Sequence, residues 1–482
     1  MIGVRRQTRI YLDGVSGRRP HVPLDADRLE TAAKRRMRPE AFAYVAAGAG
    51  NERTLAANRY AFDRWRIVPR MLRDVERRDT SVELFGRRLP SPFLLAPVGV
   101  LELAHPEADC AVARAARDTG TTMVFSNQAS KPMEGLARIL EHSPRWFQLY
   151  WSRSDALVES LASRAERCGC SAIVITLDTT MLGWRSRDLE GAYLPFLHGK
   201  GLAQYTSDPV FTELISEGPV ESSEQPRPTL AALRTLIELT RAYPDGFLRT
   251  LRSGRGRAAV QRFTEIYSRP SLTWETLGFL RERTNLPIVL KGILHPDDAA
   301  RAVAEGIDAV IVSNHGGRQV DGAIATLEAL PAVVAAVDGR IPVLLDSGVR
   351  AGADVFKALA LGARAVLIGR PYVYGLAIAG RTGVREVIEN LAADFDLTMG
   401  LAGCRSVGEI GPDAVVSAPG LEPAAPPAVS YRRSASARTE HVVGDRGARQ
   451  IDPQGEDPDL LSEEPIARDH HVLDRPRDEE RR

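Results

Sequence analysis

From about residue 90 the chain alternates short apolar runs rich in Val, Ile and Leu with amphipathic stretches of helical spacing. The runs are "FLLAPV" (93–98), "TMVFSN" (122–127), "RWFQLY" (145–150), "AIVITLD" (172–178), "PIVLKG" (287–292), "AVIVSN" (309–314), "PVLLDS" (342–347) and "AVLIGR" (365–370). This is the pattern of parallel strands joined by crossover helices, and eight such units predict the α/β class and a closed (β/α)8 TIM barrel. In that architecture reactive groups gather where the strands' C-terminal ends meet the following loops. Each run ends in, or just before, a polar or glycine-containing cluster.

Three parts fall outside the repeat. After an N-terminal extension (1–24), residues 25 to about 85 read as helical, with "LETAAKRRMRPEAFAYVAAGAG" expected to close the N-terminal mouth of the barrel or add a small cap. A long insertion follows strand four, about 179–271, with basic clusters such as "RTLRSGRGR"; its length and place suggest a lid over the site. The main domain is expected to span 25–412. The stretch 413–482, with "APGLEPAAPPAVSYRRSASARTEH" and a charged end "DRPRDEERR", is poor in aromatics and has no periodicity, and it is expected to be disordered.

Composition narrows the options. The 482 residues carry 63 Lys plus Arg against 62 Asp plus Glu, a formal net charge of +1, so no global field favours nucleic acid or an anionic membrane. There is no apolar signal-peptide core and no uninterrupted apolar stretch of about 18 residues, which suggests a cytoplasmic protein. Four scattered cysteines, Cys110, Cys168, Cys170 and Cys404, do not make a disulfide framework. Cys168 and Cys170 lack a second ligand pair, so no metal site is expected.

The chemistry concentrates at the strand ends. In "SNHGGRQ" (313–319) His315 offers a proton acceptor beside Arg318, whose planar fork suits a carboxylate. Arg185, in "DTTMLGWRSRDL" (178–189), can meet the same carboxylate from another side, and Asp178 is a candidate partner for His315, favouring its protonated form during turnover. "DSGVRAGADVFKALALGARAVLIGRP" (346–371) joins glycines, helix starts and the charges of Arg350 and Arg370 into a candidate phosphate cradle. Lys291, in "VLKG", reads as a surface lysine, a Schiff-base nucleophile, or a fixed cation beside a flavin.

These motifs, with "WFQLYW", "PIVLKGI" and "DLTMGLAGCRSVGEI", resemble the FMN-dependent α-hydroxy acid oxidising enzymes over about residues 25–412. "TLDTTMLGWRSRDLEGAYLPFLHG" and "QYTSDPVF" are most similar to the lactate 2-monooxygenase branch of that family. The resemblance implies FMN as cofactor, a small 2-hydroxy acid and dioxygen as partners, and a homo-oligomer, tetramer or octamer. It places the base on His315, its paired carboxylate on Asp178, the substrate's carboxylate on Arg185 and Arg318, and substrate-bonding hydroxyls on Tyr44 and Tyr150. Flavin contacts are implied at Pro97, Val98, Gly99, Ser126, Gln148, Thr176, Lys291 and Ser313, and phosphate contacts at Asp346, Ser347, Gly348, Arg350, Gly369 and Arg370.

Two positions depart from the simple oxidases. Gln128, in "SNQAS", stands where glycolate oxidase carries a tryptophan, and Gly99 where several oxidases carry alanine and the monooxygenase glycine. The implied reaction is oxidation of an L-2-hydroxy acid to the 2-keto acid by hydride transfer to the flavin, with decarboxylation following if the product stays trapped. The competing readings are a flavin dehydrogenase that takes a bulkier substrate and an electron carrier, an aldolase using Lys291, and a barrel that only binds.

Overall fold

The eight apolar runs become eight parallel strands: β1 Phe93–Leu95, β2 Met123–Phe125, β3 Arg145–Leu149, β4 Ile173–Thr176, β5 Ile288–Ile293, β6 Ala309–Val312, β7 Val343–Leu345 and β8 Ala365–Ile368. In the computed structural model, which describes residues 2–216, 229–243 and 246–418, they pair in chain order and close into a barrel where β8 meets β1, Leu367 opposite Leu94. The strands read as unbroken apolar runs because both faces are buried. Alternate residues such as Leu94, Val124, Val174, Val289, Ile311 and Leu344 fill the barrel, while their neighbours pack beneath the surrounding helices. Each such fully buried aliphatic side chain contributes roughly 1.5–3 kcal/mol relative to exposure.

The N-terminal mouth is closed differently from expectation. A two-stranded hairpin, Val82–Leu84 with Arg87–Leu89, inserts Val82, Leu84 and Leu89 into the interior cluster. Its two-residue turn, Phe85-Gly86, has both φ angles positive (50° and 68°), as tight hairpin turns require. Phenylalanine is a poor residue for that backbone, and its ring is packed against Trp146, centroids 5.5 Å apart. Without Asn-Gly or Asp-Gly to mark it, the hairpin was hidden inside a stretch expected to be helical.

The helices of that stretch, Ala26–Arg36, Pro39–Ala46 and Arg53–Asp63, carry Tyr44 and the Ala47 carbonyl to the opposite, C-terminal end of the barrel. The N-terminal extension holds a helix, Ile2–Val15, fixed by Gly3 N–H on Asp396 (2.9 Å) and Arg6 Nε on Asn390 (2.9 Å). The far end of the domain also lies beyond the expected boundary. Val415–Ser417, placed by the sequence in the disordered tail, pairs antiparallel with Trp65–Ile67; a three-residue strand gives too little periodicity to be read. Residues 419–482 lie outside the described residues.

The insertion after β4 is helical where described, including Pro209–Ser216, Leu230–Ala242 and Arg255–Ile266. Its first part is fastened to the barrel by polar contacts: Arg164 reaches Asp208 (2.9 Å) and the Gln204 carbonyl (2.7 Å), and Asn127 Nδ2 donates to the Tyr205 hydroxyl (2.6 Å). Among the described residues no helix is long and apolar enough to cross a membrane, and no group of three or more His, Cys, Asp or Glu could hold a metal. All four cysteines are unpaired, and burial pushes the Cys168 and Cys170 thiols up, as suits a packing role.

Candidate active site

A cleft of about 1080 Å³, including its open mouth, lies at the C-terminal ends of the strands. The loop after β6 shapes its centre. His315, Gly316 and Gly317 all have positive φ (58°, 67° and 75°), a tight reversal fastened by Gly316 N–H on Ser347 Oγ (2.9 Å) and Gly317 N–H on Asn314 Oδ1 (3.0 Å). A Cβ on Gly317 would meet the Leu55 backbone at 2.6 Å. Non-glycine residues rarely adopt such a conformation, and one held there by its surroundings is a mark of functional sites.

The reversal sets His315 Nδ1 2.7 Å from Asp178 Oδ1, at the end of β4, with the Thr179 hydroxyl 3.2 Å from the same nitrogen. With Nδ1 as donor to the carboxylate, Nε2 is the nitrogen left to accept a proton. Burial pulls His315 below the ordinary histidine value; Asp178 opposes this and Lys291 adds to it, so the imidazole is neutral near pH 7. Burial alone would raise Asp178, but Lys291 and then His315 outweigh it and hold the carboxyl below the usual range.

Lys291, buried at the end of β5, donates to Ser313 Oγ (2.8 Å) and contacts Asp346 Oδ2 (3.2 Å) and Asp178 Oδ2 (3.7 Å). Burial works against its charge, yet the two carboxylates overcome it and keep the ammonium protonated well above the ordinary range. A Schiff-base nucleophile must be neutral, so this environment suits a fixed cation. Asp346 lines the cleft with its carboxylate on Lys291, so a side-chain contact from it to a phosphate would be repulsive. The remaining residues of the expected cradle, Ser347, Gly348, Arg350, Gly369 and Arg370, line one end of the cleft.

Four buried or half-buried guanidinium groups face the cleft, and among the described residues they bond to uncharged groups. Arg318 donates to the Ala47 carbonyl (2.7 Å), and its guanidinium carbon lies 5.2 Å from the Tyr44 ring centre. Arg185 bonds the Arg318 carbonyl and Gln319, Arg350 the Val349 carbonyl, and Arg370 the carbonyls of Val45, Gly316 and Ala47. Burial pushes Arg318 down to about 9 and Arg350 to about 10, with neighbouring arginines adding to the shift, and burial likewise lowers Arg370. Cations crowded together without a counterion stabilise a bound anion. Arg318 and Arg185 lie beside His315; Arg370 stands between them and Arg350, sharing the Ala47 carbonyl with Arg318 while its charge also acts on Arg350, and next to it a Cβ built on Gly369 would have no atom closer than 3.9 Å. A cofactor with one phosphate fits a cleft lined by these groups, with Arg350 and Arg370 placed to hold the phosphate and Lys291 to supply a cation to the rest of it.

The sequence-derived flavin residues fall into two sets. Pro97, Val98 and Gly99 line the cleft with Lys291. Ser126, Gln148 and Thr176 are buried and linked, Ser126 Oγ donating to Gln148 Oε1 (3.2 Å) and Gln148 Nε2 to Thr176 Oγ1 (3.1 Å), while buried Ser313 accepts from Lys291 instead. Tyr44 and Tyr150 both line the cleft, and burial with the nearby Asp178 charge pushes the Tyr150 hydroxyl up to about 12, a donor at any physiological pH. Gln128 lines it as expected. Thr179, Leu182, Phe196 and Tyr267 also line it without having been singled out. Thr179, Leu182 and Phe196 sat inside a quoted motif, whereas Tyr267 comes from the far end of the insertion, where no local signal marks it.

Comparison with known proteins agrees with this geometry. The profile of the family described as FMN-dependent dehydrogenase matches residues 33–417. The chain is similar to an L-lactate oxidase of Lysinibacillus sphaericus, 40% identical over 86% of this chain and 97% of the relative. It is also similar to a 4-hydroxymandelate oxidase of Amycolatopsis orientalis, 41% identical over 79% of this chain and 94% of the relative. Among solved structures, a mandelate oxidase with (S)-4-hydroxymandelic acid superposes with a TM-score of 0.66 at 39% identity, over 80% of this chain and 97% of that one. A closed eight-stranded barrel, a cleft with anion-binding groups at both ends, and a profile match across most of the chain together establish that this protein belongs to the FMN-dependent dehydrogenase family and is an oxidoreductase that works with FMN.

Proposed function

We propose that the protein oxidises a small L-2-hydroxy acid of lactate size to the 2-keto acid, with His315 as the base and dioxygen as the final electron acceptor. The observation that carries this reading is the His315–Asp178 pair at 2.7 Å beside two guanidinium groups without carboxylate partners. When bound, FMN supplies the two-electron acceptor for the α-hydrogen and its electron pair.

The protein's own groups do the rest. Arg318 and Arg185 hold the substrate's carboxylate, which fixes the α-carbon over the cleft floor. Tyr44 and Tyr150 donate toward the substrate oxygens. His315 Nε2 takes the hydroxyl proton, and Asp178 stabilises the imidazolium that results. Lys291 keeps a permanent positive charge at the floor, where negative charge would gather as electrons arrive.

Product analysis after aerobic turnover of L-lactate tests the reading. Pyruvate with peroxide marks a simple oxidase; acetate with carbon dioxide marks trapping of the keto acid and oxidative decarboxylation, the outcome suggested by the resemblance of 176–199 to the monooxygenase branch. No turnover of L-lactate by the FMN-loaded protein overturns it. A second reading, an aryl-bearing hydroxy acid, is favoured by the Phe196 and Tyr267 rings in the cleft wall and by the likeness to the 4-hydroxymandelate oxidase. Preference for (S)-mandelate over L-lactate in kcat/KM selects it.

A further inference from the structure

Beyond the groups that would touch substrate, the structure assigns a positioning role to Gln319, the last residue of "SNHGGRQ": its side-chain amide clasps the loop after β4 to the loop after β6 and thereby sets the carboxylate-binding fork. The inference rests on the reading of Arg185 and Arg318 as that fork.

Every hydrogen-bonding capacity of the amide is used. Oε1 accepts from Arg185 Nη2 (3.2 Å) and from Gly183 N–H (3.4 Å), while Nε2 donates to the carbonyls of Asp178 (2.6 Å) and Met181 (2.9 Å). Two donors face one atom and two carbonyls the other, so only one orientation of the amide satisfies all four. Neither glutamate, which has no donor, nor lysine, which has no acceptor, could replace it.

The clasp joins the chemistry of both loops. The loop after β4 carries Asp178 and Arg185; that after β6 carries His315 and Arg318. Gln319 holds the backbone of Asp178, which fixes His315, and holds the guanidinium of Arg185 directly. Arg185 Nε in turn donates to the Arg318 carbonyl at 3.3 Å. The loops are also in direct backbone contact: a Cβ on Gly183 would lie 2.5 Å from the Arg318 oxygen and 2.8 Å from Gln319 Cα, so only glycine allows the approach. Of the two fork arginines, only Arg185 is aimed by this amide, while Arg318 is held by the Ala47 carbonyl.

The test uses the full-length, FMN-loaded protein and oxalate, a dicarboxylate without an α-hydrogen, whose binding is followed by the flavin absorbance. Gln319→Met is expected to weaken oxalate binding about tenfold or more, the loss of a hydrogen bond to a charged group. FMN content and the thermal midpoint should be preserved. Gln319→Glu is expected to weaken it further, because the new carboxylate occupies Arg185 and faces two carbonyls. In an Arg185→Met background the Gln319→Met change should alter oxalate affinity by no more than about twofold, since residues acting through one another are not additive.

If Arg185→Met alone binds oxalate as the unchanged protein does, the fork reading itself falls. If Arg185→Met weakens binding but Gln319→Met does not, or if the two losses multiply in full, the fork stands and the positioning role is overturned. Loss of FMN from both Gln319 variants would also overturn it, by showing that the residue serves the fold.

Discussion

His315 Nδ1 and Asp178 Oδ1 lie 2.7 Å apart although 137 residues separate them in the chain, one at the end of β6 and the other at the end of β4. The barrel brings them together through β5, whose Lys291 touches the second oxygen of the same carboxylate at 3.7 Å. Asp178 Oδ2 has no hydrogen-bond partner in its buried position. Its charge is therefore held by two cations, one permanent and one formed on proton uptake.

Replacing His315 by alanine is expected to slow anaerobic reduction of the flavin by L-lactate by about 10²–10⁴-fold, the usual contribution of a positioned base. Asp178→Asn should slow it in the same direction, because the amide does not stabilise the imidazolium. Stopped-flow bleaching of the flavin checks both, and an unchanged rate in His315→Ala removes the base assignment.

The pH dependence follows from the shift of His315 below its ordinary value of 6.5. The base is active when neutral, so kcat/KM should be flat at neutral pH and fall as pH drops through that lowered value. Lys291 contributes to the lowering, so Lys291→Met should move the acid limb to higher pH. Removing the Asp178 charge takes away a raising influence and should move it lower. A limb in the two variants that shifts in the same direction would contradict the electrostatic account.

Much of this was legible before any coordinates. The barrel was readable because strands buried on both faces leave long apolar runs, and the site because His315, Arg318, Lys291 and Asp178 all stand at the ends of those runs. The Phe85-Gly86 hairpin and the Val415–Ser417 strand were not, since each has three-residue strands and the first lacks the usual turn residues. Phe196 and Tyr267 reach the cleft only through tertiary packing of the insertion, which has no periodic relation to the strand ends. Asp346 sat in a glycine-rich stretch that pointed to phosphate; only the structure turns it to Lys291.

Arg318→Met should weaken binding of the hydroxy acid by about 2–5 kcal/mol, the cost of removing one partner of a buried charged pair. Arg350→Met is expected to leave that affinity nearly unchanged and to lower FMN affinity instead, measured by the fluorescence of released cofactor. Such a separation would confirm that the two ends of the cleft take different anions; equal effects of both variants on both ligands would refute it.

Gly99→Ala probes the fate of the product. The added Cβ would lie 3.1 Å from Gln128 Cβ and 3.2 Å from the Gln128 carbonyl oxygen, so the wall above the floor must give by a few tenths of an ångström. The expected change is a higher ratio of pyruvate to acetate after aerobic turnover of L-lactate, as suits the alanine found in simple oxidases. A ratio unaffected by the substitution would mean that this wall does not govern product retention.

The cork that Phe85 and Trp146 form at the bottom of the barrel carries a consequence for traffic. With that end filled, the proposed hydroxy acid, keto acid and dioxygen would share the cleft mouth among the described residues, beside the rings of Phe196 and Tyr267. On that reading a departing product and an arriving oxygen molecule would compete for the same passage, and how quickly it clears would decide what leaves through it.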